Sequence, residues 1–493
     1  MNFKPLLNLF SILVMFFSLS FVIPMAISLI FDDSALNIFI ITFAIIFSLG
    51  LFGWLVSRDA GDDLSQKDGF IIITFFWVVL SIAGSIPFIL IGMPLVDAFF
   101  ESMSGYTTTG ATILHDIEAV PKGVLFWRST THWIGGMGII VLAIAILPFL
   151  GIGGMQLFTA EAPGPGNDKL HPRITDTAKR LWLIYLSFTL IETFCLYFAG
   201  MSFFDAINHA MSTLSTGGFS TKNSSVAFYN HLPSVQYIII FFMFLAGTNF
   251  VLSYFAFKGR IQKIIKDEEF KLYYSFVIIF TIIAALIIYF RTDITVSTIN
   301  HPLVWGKGEG AIRHALFQVL TVITTTGFIT ADYTTWTSFL MVFFFGLMFL
   351  GGSAGSTSGG VKVVRHLLMI KNGFLEFKRT LHPSAIVPVR YNTKAVSGDI
   401  VFNILAFFIL YMLSFIIGAL VFSMFQIDFQ SSIGLSASSL GNIGPALGHF
   451  GPVNNYAFLP PLAKWWSSFL MLIGRLELFT VLILFTPFFW RNR

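Results

Sequence analysis

The sequence predicts an all-α membrane protein. Four pseudo-symmetric repeats of helix, half-helix, irregular loop and helix surround a central pore, and two further transmembrane helices precede them. Three observations predict it. The 493 residues are 56% hydrophobic and only 11% charged, far below the roughly 25% charge of a soluble protein. Long apolar segments recur, each sufficient to cross about 30 Å of hydrocarbon as a helix. A short Gly/Thr motif also returns four times at a steady period.

The first apolar segments, Leu7 to Ile30 and Ile38 to Val56, stand outside the repeats. Leu7 to Ile30 follows only Lys4 and has no small-residue cleavage site, so it is read as a retained span. Beyond them lie Phe70 to Ile91, Leu181 to Phe198, Tyr237 to Phe255, Tyr273 to Phe290 and Phe402 to Phe425. With ten spans and both termini inside, most of the 29 Lys and Arg fall on the cytoplasmic side, as the positive-inside rule requires. They include Lys169, Arg173, Lys179, Arg180, Lys258, Arg260, Lys263, Lys266 and Lys271. Cys195 is the lone cysteine, so no disulfide or thiolate metal site forms within one chain.

The four echoes are Tyr106 to Thr112, Leu214 to Ser220, Ile323 to Ile329 and Leu440 to Ala446. Their glycines, Gly110, Gly218, Gly327 and Gly444, are spaced 218−110 = 108, 327−218 = 109 and 444−327 = 117. A stretch too short to cross precedes each: Asp97 to Tyr106, Asp205 to Leu214, Ala311 to Ile323 and Ser431 to Leu440. Each must dip in and return. A further apolar segment with its own glycine follows, at Gly135, Gly247, Gly351 and Gly474. The repeats then run 69–155, 156–260, 261–372 and 373–493, after an N-terminal unit 1–68.

Irregular backbone at membrane depth survives only inside protein or along a watery cavity. Four such loops point to one shared cavity, where the carbonyls of Thr108, Thr109, Thr216, Gly217, Thr325, Thr326, Asn442 and Ile443 can replace a cation's water shell. Glycine at 110, 218, 327 and 444 aims those carbonyls and keeps side chains out. Threonine and serine hydroxyls add oxygen without charge, which suits a hard monovalent cation. The half-helices direct their partially negative C-termini at the axis, and Asp97 and Asp205 at the opposite ends are expected to cap them. Close helix packing is the competing account of the glycines, but it does not explain their period or the half-helix before each.

These residues resemble the Trk/Ktr/HKT superfamily of potassium transporters over the whole chain, and within it the TrkH-like membrane subunits, which carry two extra N-terminal helices. The resemblance implies one filter glycine per repeat, matched by Gly110, Gly218, Gly327 and Gly444, with potassium bound at the filter residues. Glycine in all four places is similar to potassium-selective members. The fourth loop, Gly441-Asn-Ile-Gly-Pro, departs most from the Thr-rich pattern.

In the third repeat Trp336 to Ile370 is broken by Gly351-Gly-Ser-Ala-Gly-Ser-Thr-Ser-Gly-Gly360, a stretch that cannot continue a stable helix. A phosphate-binding loop is excluded by the missing Gly-Lys-Ser/Thr ending. The resemblance implies an intramembrane gate under the filter, formed by Gly351, Gly352, Ser353, Gly355, Ser356, Ser358, Gly359 and Gly360. Arg475, inside an apolar run, is expected to face the pore, and the resemblance makes it a barrier cooperating with that loop. A structural pairing with Glu477, Glu192 or a loop carbonyl is its alternative. Lys362 and Arg365 are expected to snorkel to the cytoplasmic boundary or meet a partner.

The resemblance further implies potassium uptake across a bacterial inner membrane by a homodimer, with a cytosolic TrkA-like nucleotide-binding regulatory subunit. Membrane lipid is the remaining partner; no nucleic acid, no resident cofactor and no enzymatic activity are expected. A coupled secondary transporter moving potassium with protons or sodium is the main rival. A membrane enzyme is disfavoured, because the 10 histidines are scattered and no HExxH cluster occurs.

Overall fold

The computed structural model describes residues 3–59, 66–150, 174–295, 299–385 and 387–491, with the backbone alone at residues 3, 66, 137–150 and 174–178. The predicted loop Gly151 to Ala178, with Lys169 and Arg173, therefore lies almost wholly outside the described residues.

The N-terminal unit is a helix from Phe3 to Phe31, tightened at Leu19–Phe21, and a second helix, Leu36–Ser57. They lie side by side, and the first continues onto repeat one, where Phe21 packs on Trp127 at 4.4 Å. The turn between them is fastened there too, since Asp33 accepts a hydrogen bond from the N–H of Gly123 at 2.7 Å.

Each repeat then opens with a long helix: Gln66–Leu90, Ile174–Phe198, Glu268–Arg291 and Gly398–Met424. The half-helices follow as Leu95–Tyr106, Phe203–Leu214, Lys307–Ile323 and Phe429–Gly441. The third begins four residues before its expected start at Ala311, because Glu309 in its first turn pairs with the buried Arg313 at 2.7 Å and stabilises an extra turn.

Closing segments are where the repeats diverge. In repeat one Lys122–Leu150 is continuous. Repeat two breaks after Gly247 into Pro233–Ala246 and Phe250–Phe257, bent by 107°. Repeat three breaks into Ser338–Leu347 and Val363–Leu381 around the glycine-rich loop. Repeat four turns by 113° after Arg475, between Pro461–Arg475 and Phe479–Phe485. Among the described residues six helices are long and apolar enough to cross a membrane, or eight with each bent pair counted as one span. The protein is thus an all-α membrane protein of four repeats and two additional N-terminal helices. Its β-structure among those residues is a two-residue ladder, Arg390–Tyr391 with Lys394–Ala395.

The glycines of the closing segments let these helices lie against the half-helix ends. A Cβ on Gly135 would collide with the Tyr106 carbonyl, and one on Gly474 with that of Leu440. Backbone cannot yield as a side-chain tip can. Gly135→Ala should therefore abolish recovery of monodisperse protein on size-exclusion chromatography in detergent. Gly373→Ala, in the middle of Val363–Leu381 with nothing within 4 Å of its added methyl, should stabilise by roughly 0.5–1 kcal/mol through helix propensity, read as a higher thermal midpoint.

Candidate functional site

All four half-helices end in one way. The last residue but one before the glycine is left-handed in each: Thr108 at φ 52°, Thr216 at 55°, Thr325 at 55° and Asn442 at 54°. Its N–H bonds three residues back, and the next N–H five residues back. In repeat one these are Thr108 to Gly105 (3.0 Å) and Thr109 to Ser104 (2.9 Å). The others match: Thr216 to Thr213 and Gly217 to Ser212 (2.9 and 2.8 Å), Thr325 to Val322 and Thr326 to Thr321 (3.0 and 2.8 Å), Asn442 to Ser439 and Ile443 to Ser438 (3.4 and 3.0 Å). This is a Schellman ending. It spends the loop N–H groups on the half-helix behind and turns the chain so that a second left-handed residue follows, the glycine, at φ 80°, 81°, 80° and 100°. Three of the first positions hold β-branched threonine, which strains the backbone by about 1–3 kcal/mol each. Their surroundings must enforce it.

The four loops meet around one axis. A Cβ on Gly110 would collide with the carbonyl oxygen of Gly217, on Gly218 with that of Thr326, on Gly327 with that of Ile443, and on Gly444 it would lie 2.6 Å from that of Thr109. Each glycine thus abuts the next repeat's carbonyl, and the fourth returns to the first. Above this ring opens a cavity floored by Gly110, Gly218, Gly327 and Gly444. At its rim the exposed Asp116 accepts a hydrogen bond from Asn223 at 2.9 Å, which holds its carboxyl below the usual carboxylate range.

The ring is not fourfold in detail. In repeats one and three neighbouring hydroxyls pair, Thr107 with Thr109 at 2.8 Å and Thr324 with Thr326 at 2.7 Å. In repeat four Asn442 instead donates to Thr109 Oγ1 at 3.0 Å and to the Met471 carbonyl at 2.9 Å. The Gly444 carbonyl accepts from Ser438 Oγ (2.8 Å) and Tyr456 Oη (2.6 Å), so it is engaged by protein hydroxyls.

A polar residue nine positions before the glycine braces the ascending strand in three repeats: 101 and 110, 209 and 218, 318 and 327. Glu101 accepts from the Ile113 N–H at 2.9 Å and pairs with Arg128 at 2.8 Å. His209 Nε2 meets Ser220 Oγ at 2.9 Å, and the Gln318 amide meets Thr330 Oγ1 at 3.2 Å. These braces were missed from sequence, although their spacing equals that of the glycines and was signal enough.

Beneath the ring runs the glycine-rich loop, irregular from Met348 to Lys362, wider than the predicted 351–360. It touches repeats two, three and four, and reaches repeat one through Arg475. Gly359 donates to Thr325 Oγ1 at 2.7 Å, and Thr357 Oγ1 donates to the Leu214 carbonyl at the second half-helix end at 2.9 Å. Ser353 donates to the Gly247 carbonyl at 2.8 Å. Arg475 donates to the Thr357 carbonyl at 2.8 Å and to the Gly135 carbonyl at 2.9 Å, joining loop, fourth repeat and first. Glu269, which the sequence gave no reason to single out, is buried and accepts from the N–H groups of Ala354 (2.7 Å) and Val364 (3.1 Å), clasping the middle of the loop to the start of the helix that follows it.

Several expectations are corrected. Lys362 and Arg365 neither snorkel nor present themselves to a partner: both are buried, Lys362 donating to the Ser358 carbonyl and Arg365 paired with Glu477. Glu477 is thereby engaged by Arg365, and the partners of Arg475 include two carbonyls. Asp97 and Asp205 sit in the first turns but do not cap them. The N-cap positions belong to Pro94 and Ser202, while Asp97 reaches Lys464 of repeat four at 2.7 Å and Asp205 takes the Thr221 hydroxyl at 2.5 Å. The aspartate that does cap is Asp428, on the Ser431 N–H at 3.0 Å.

Residues 35–492 match the family model described as TrkH, cation transport protein. The chain is 40% identical over 497 aligned positions to the Trk system potassium uptake protein TrkH of Salmonella typhimurium and equally to that of Escherichia coli, covering all of each chain. It is 36% identical to the Trk system potassium uptake protein TrkG of Escherichia coli over 97% of both chains. The crystal structure of the potassium transporter TrkH from Vibrio parahaemolyticus superposes with a TM-score of 0.87 at 36% identity, covering both chains completely. With the fold, the repeat and nearly the full length matched, the chain belongs to the TrkH family of cation transport proteins.

Proposed function

We propose that this chain takes up potassium ions across the bacterial inner membrane through a gated, channel-like pore. Its selectivity filter is the ring of carbonyls from Thr108, Thr109, Thr216, Gly217, Thr325, Thr326, Asn442 and Ile443, spaced by Gly110, Gly218, Gly327 and Gly444. The observation that carries this reading is the cyclic contact of each glycine with the next repeat's carbonyl. Oxygens held that closely offer a dehydrated cation a ready shell. The relatives named as potassium uptake proteins support the choice of ion.

The loop 351–360 is the gate in this reading. It lies against the ring's underside through Thr325, and Arg475 places a fixed positive charge beside it, which a cation passing below must meet. Lifting the loop costs the hydrogen bonds to Leu214, Gly247 and Arg475. A second copy of the chain and a cytosolic TrkA-like nucleotide-binding subunit complete the proposed system; the relatives' designation as Trk system proteins supports a multi-component assembly. Potassium is substrate, and no resident cofactor or enzymatic step is invoked.

Coupled transport is the second reading, favoured by Glu192, a fully buried carboxylate in Ile174–Phe198. Single-channel recording from protein reconstituted in planar bilayers separates the two. Discrete openings support the gated pore, whereas potassium flux strictly stoichiometric with protons and lost in Glu192→Gln would sink it.

Gly110→Asp and Gly327→Asp should each reduce potassium uptake at least about tenfold while the chain still reaches the membrane, measured as rubidium-86 accumulation alongside immunoblotting of membranes. Arg475→Gln and Glu269→Ala should both raise resting flux several-fold over the original chain, since each frees a fastening of the loop. Flux at background from correctly inserted Arg475→Gln would assign the arginine to building the pore instead.

A further inference from the structure

We propose that His132 is a positioning residue for ion selectivity. Its ring reaches in from repeat one, replaces the side chain that the second loop lacks at Gly217, and so holds the Gly217 carbonyl in the ring. This rests on reading the four glycine loops as the filter.

The second position of the loops is Thr109, Gly217, Thr326 and Ile443. In repeats one and three the threonine hydroxyl is tied to its neighbour, and in repeat four Ile443 is fully buried beside the Asn442 bridge. Gly217 has no side chain to hold it, and glycine has the freest backbone of any residue. The vacancy is filled from outside. A Cβ on Gly217 would lie within 2.6 Å of three His132 ring atoms, so imidazole occupies the space where the other loops carry their own side chain.

The ring is itself fixed. It is fully buried and stacks flat on Phe219, at 3.9 Å and 12°. Phe219 also lies under the Arg128 guanidinium at 4.0 Å, which Glu101 anchors. Nδ1 of His132 is 3.4 Å from both the Phe219 N–H and Ser212 Oγ. Ser212 is the residue whose carbonyl receives the Gly217 N–H. The imidazole therefore contacts the loop on both sides of Gly218. Three positions before the closing-segment glycine, where repeat one has His132, the other repeats have Phe244, Met348 and Met471. Histidine stands only where the neighbouring loop has glycine in its second position. Selectivity depends on the number and stiffness of the oxygens, and a ring slack on one of four sides closes down on a smaller ion.

The test compares potassium, rubidium and sodium fluxes of the full chain in proteoliposomes. His132→Ala should retain reduced but measurable potassium flux while potassium-over-sodium discrimination falls about tenfold. Gly217→Ser alone should be almost silent, because its side chain meets the ring. The double variant His132→Ala/Gly217→Ser should transport, with discrimination within about threefold of the original, since the serine refills the space. An unchanged potassium-to-sodium ratio in His132→Ala overturns the inference, as does a double variant no more selective than His132→Ala. Should His132→Ala fail to reach the membrane, His132→Asn, which keeps a polar atom near Nδ1 without the ring, is read by the same two criteria. If the unsubstituted chain shows no potassium-selective flux, the filter reading itself fails; if it does and only the variants disobey, the role of His132 alone is lost.

Discussion

A main-chain carbonyl at membrane depth needs a partner, and a structure that withholds the partner must make the omission unavoidable. Here that constraint is met by the Schellman ending repeated four times. Because the N–H groups of Thr108 and Thr109, and their counterparts, are spent on the half-helices behind them, those groups cannot fold back onto the loop's own oxygens. The left-handed glycine then directs the chain onward at a place where a Cβ has no room. The strain of left-handed threonine is stored at the same spot, and strain of this kind persists only where neighbours over-determine it. The neighbours are the braces at Glu101, His209 and Gln318, the closing helices pressed on the half-helix ends at Gly135 and Gly474, and the adjoining loops themselves.

Four similar repeats in one chain can diverge, and the divergence is where regulation fits. The closing segment is continuous in repeat one, kinked in two, opened into a loop in three and turned sharply in four. One segment alone has become the loop beneath the ring, and the others supply its contacts: the Leu214 and Gly247 carbonyls from repeat two, Arg475 from repeat four, and the Gly135 carbonyl from repeat one through that arginine. A symmetric homotetramer cannot assign four different tasks to one position. Duplication within a chain can.

Much of this was legible in the sequence. Hydropathy placed the six unbroken spans found among the described residues but not the breaks, since the expected span Tyr237 to Phe255 bends by 107° after Gly247, and the glycine period placed the loops, because both signals are local properties repeated at fixed intervals. The half-helix bounds were read to within a few residues, failing most at the third, where the Glu309–Arg313 pair adds a turn. What escaped was non-local. The Glu269 clasp depends on a carboxylate 85 and 95 residues from its two donors, and the Arg365–Glu477 pair joins positions 112 apart. Composition favours sending Lys362 and Arg365 to the membrane boundary, whereas a carbonyl and a carboxylate waiting inside make burial tolerable. Capping was misassigned for a related reason: an aspartate in the first turn serves the helix dipole from N3, and Ser202 at the true boundary already supplies the cap. The braces at 101, 209 and 318 were legible and overlooked, since polar residues of different kinds do not announce a repeat as identical glycines do.

The position of Arg475 shows how one residue can satisfy a structural and an electrostatic demand together. A buried guanidinium without acceptors would be among the costliest groups in the membrane. Glu477, two residues on, is turned to Arg365. Two carbonyl oxygens, from Thr357 and Gly135, accept from its two terminal nitrogens. Displacing the loop strips Arg475 of an acceptor and so obliges the side chain to move as well. In the proposed gate, loop and arginine are thereby coupled through the Thr357 carbonyl.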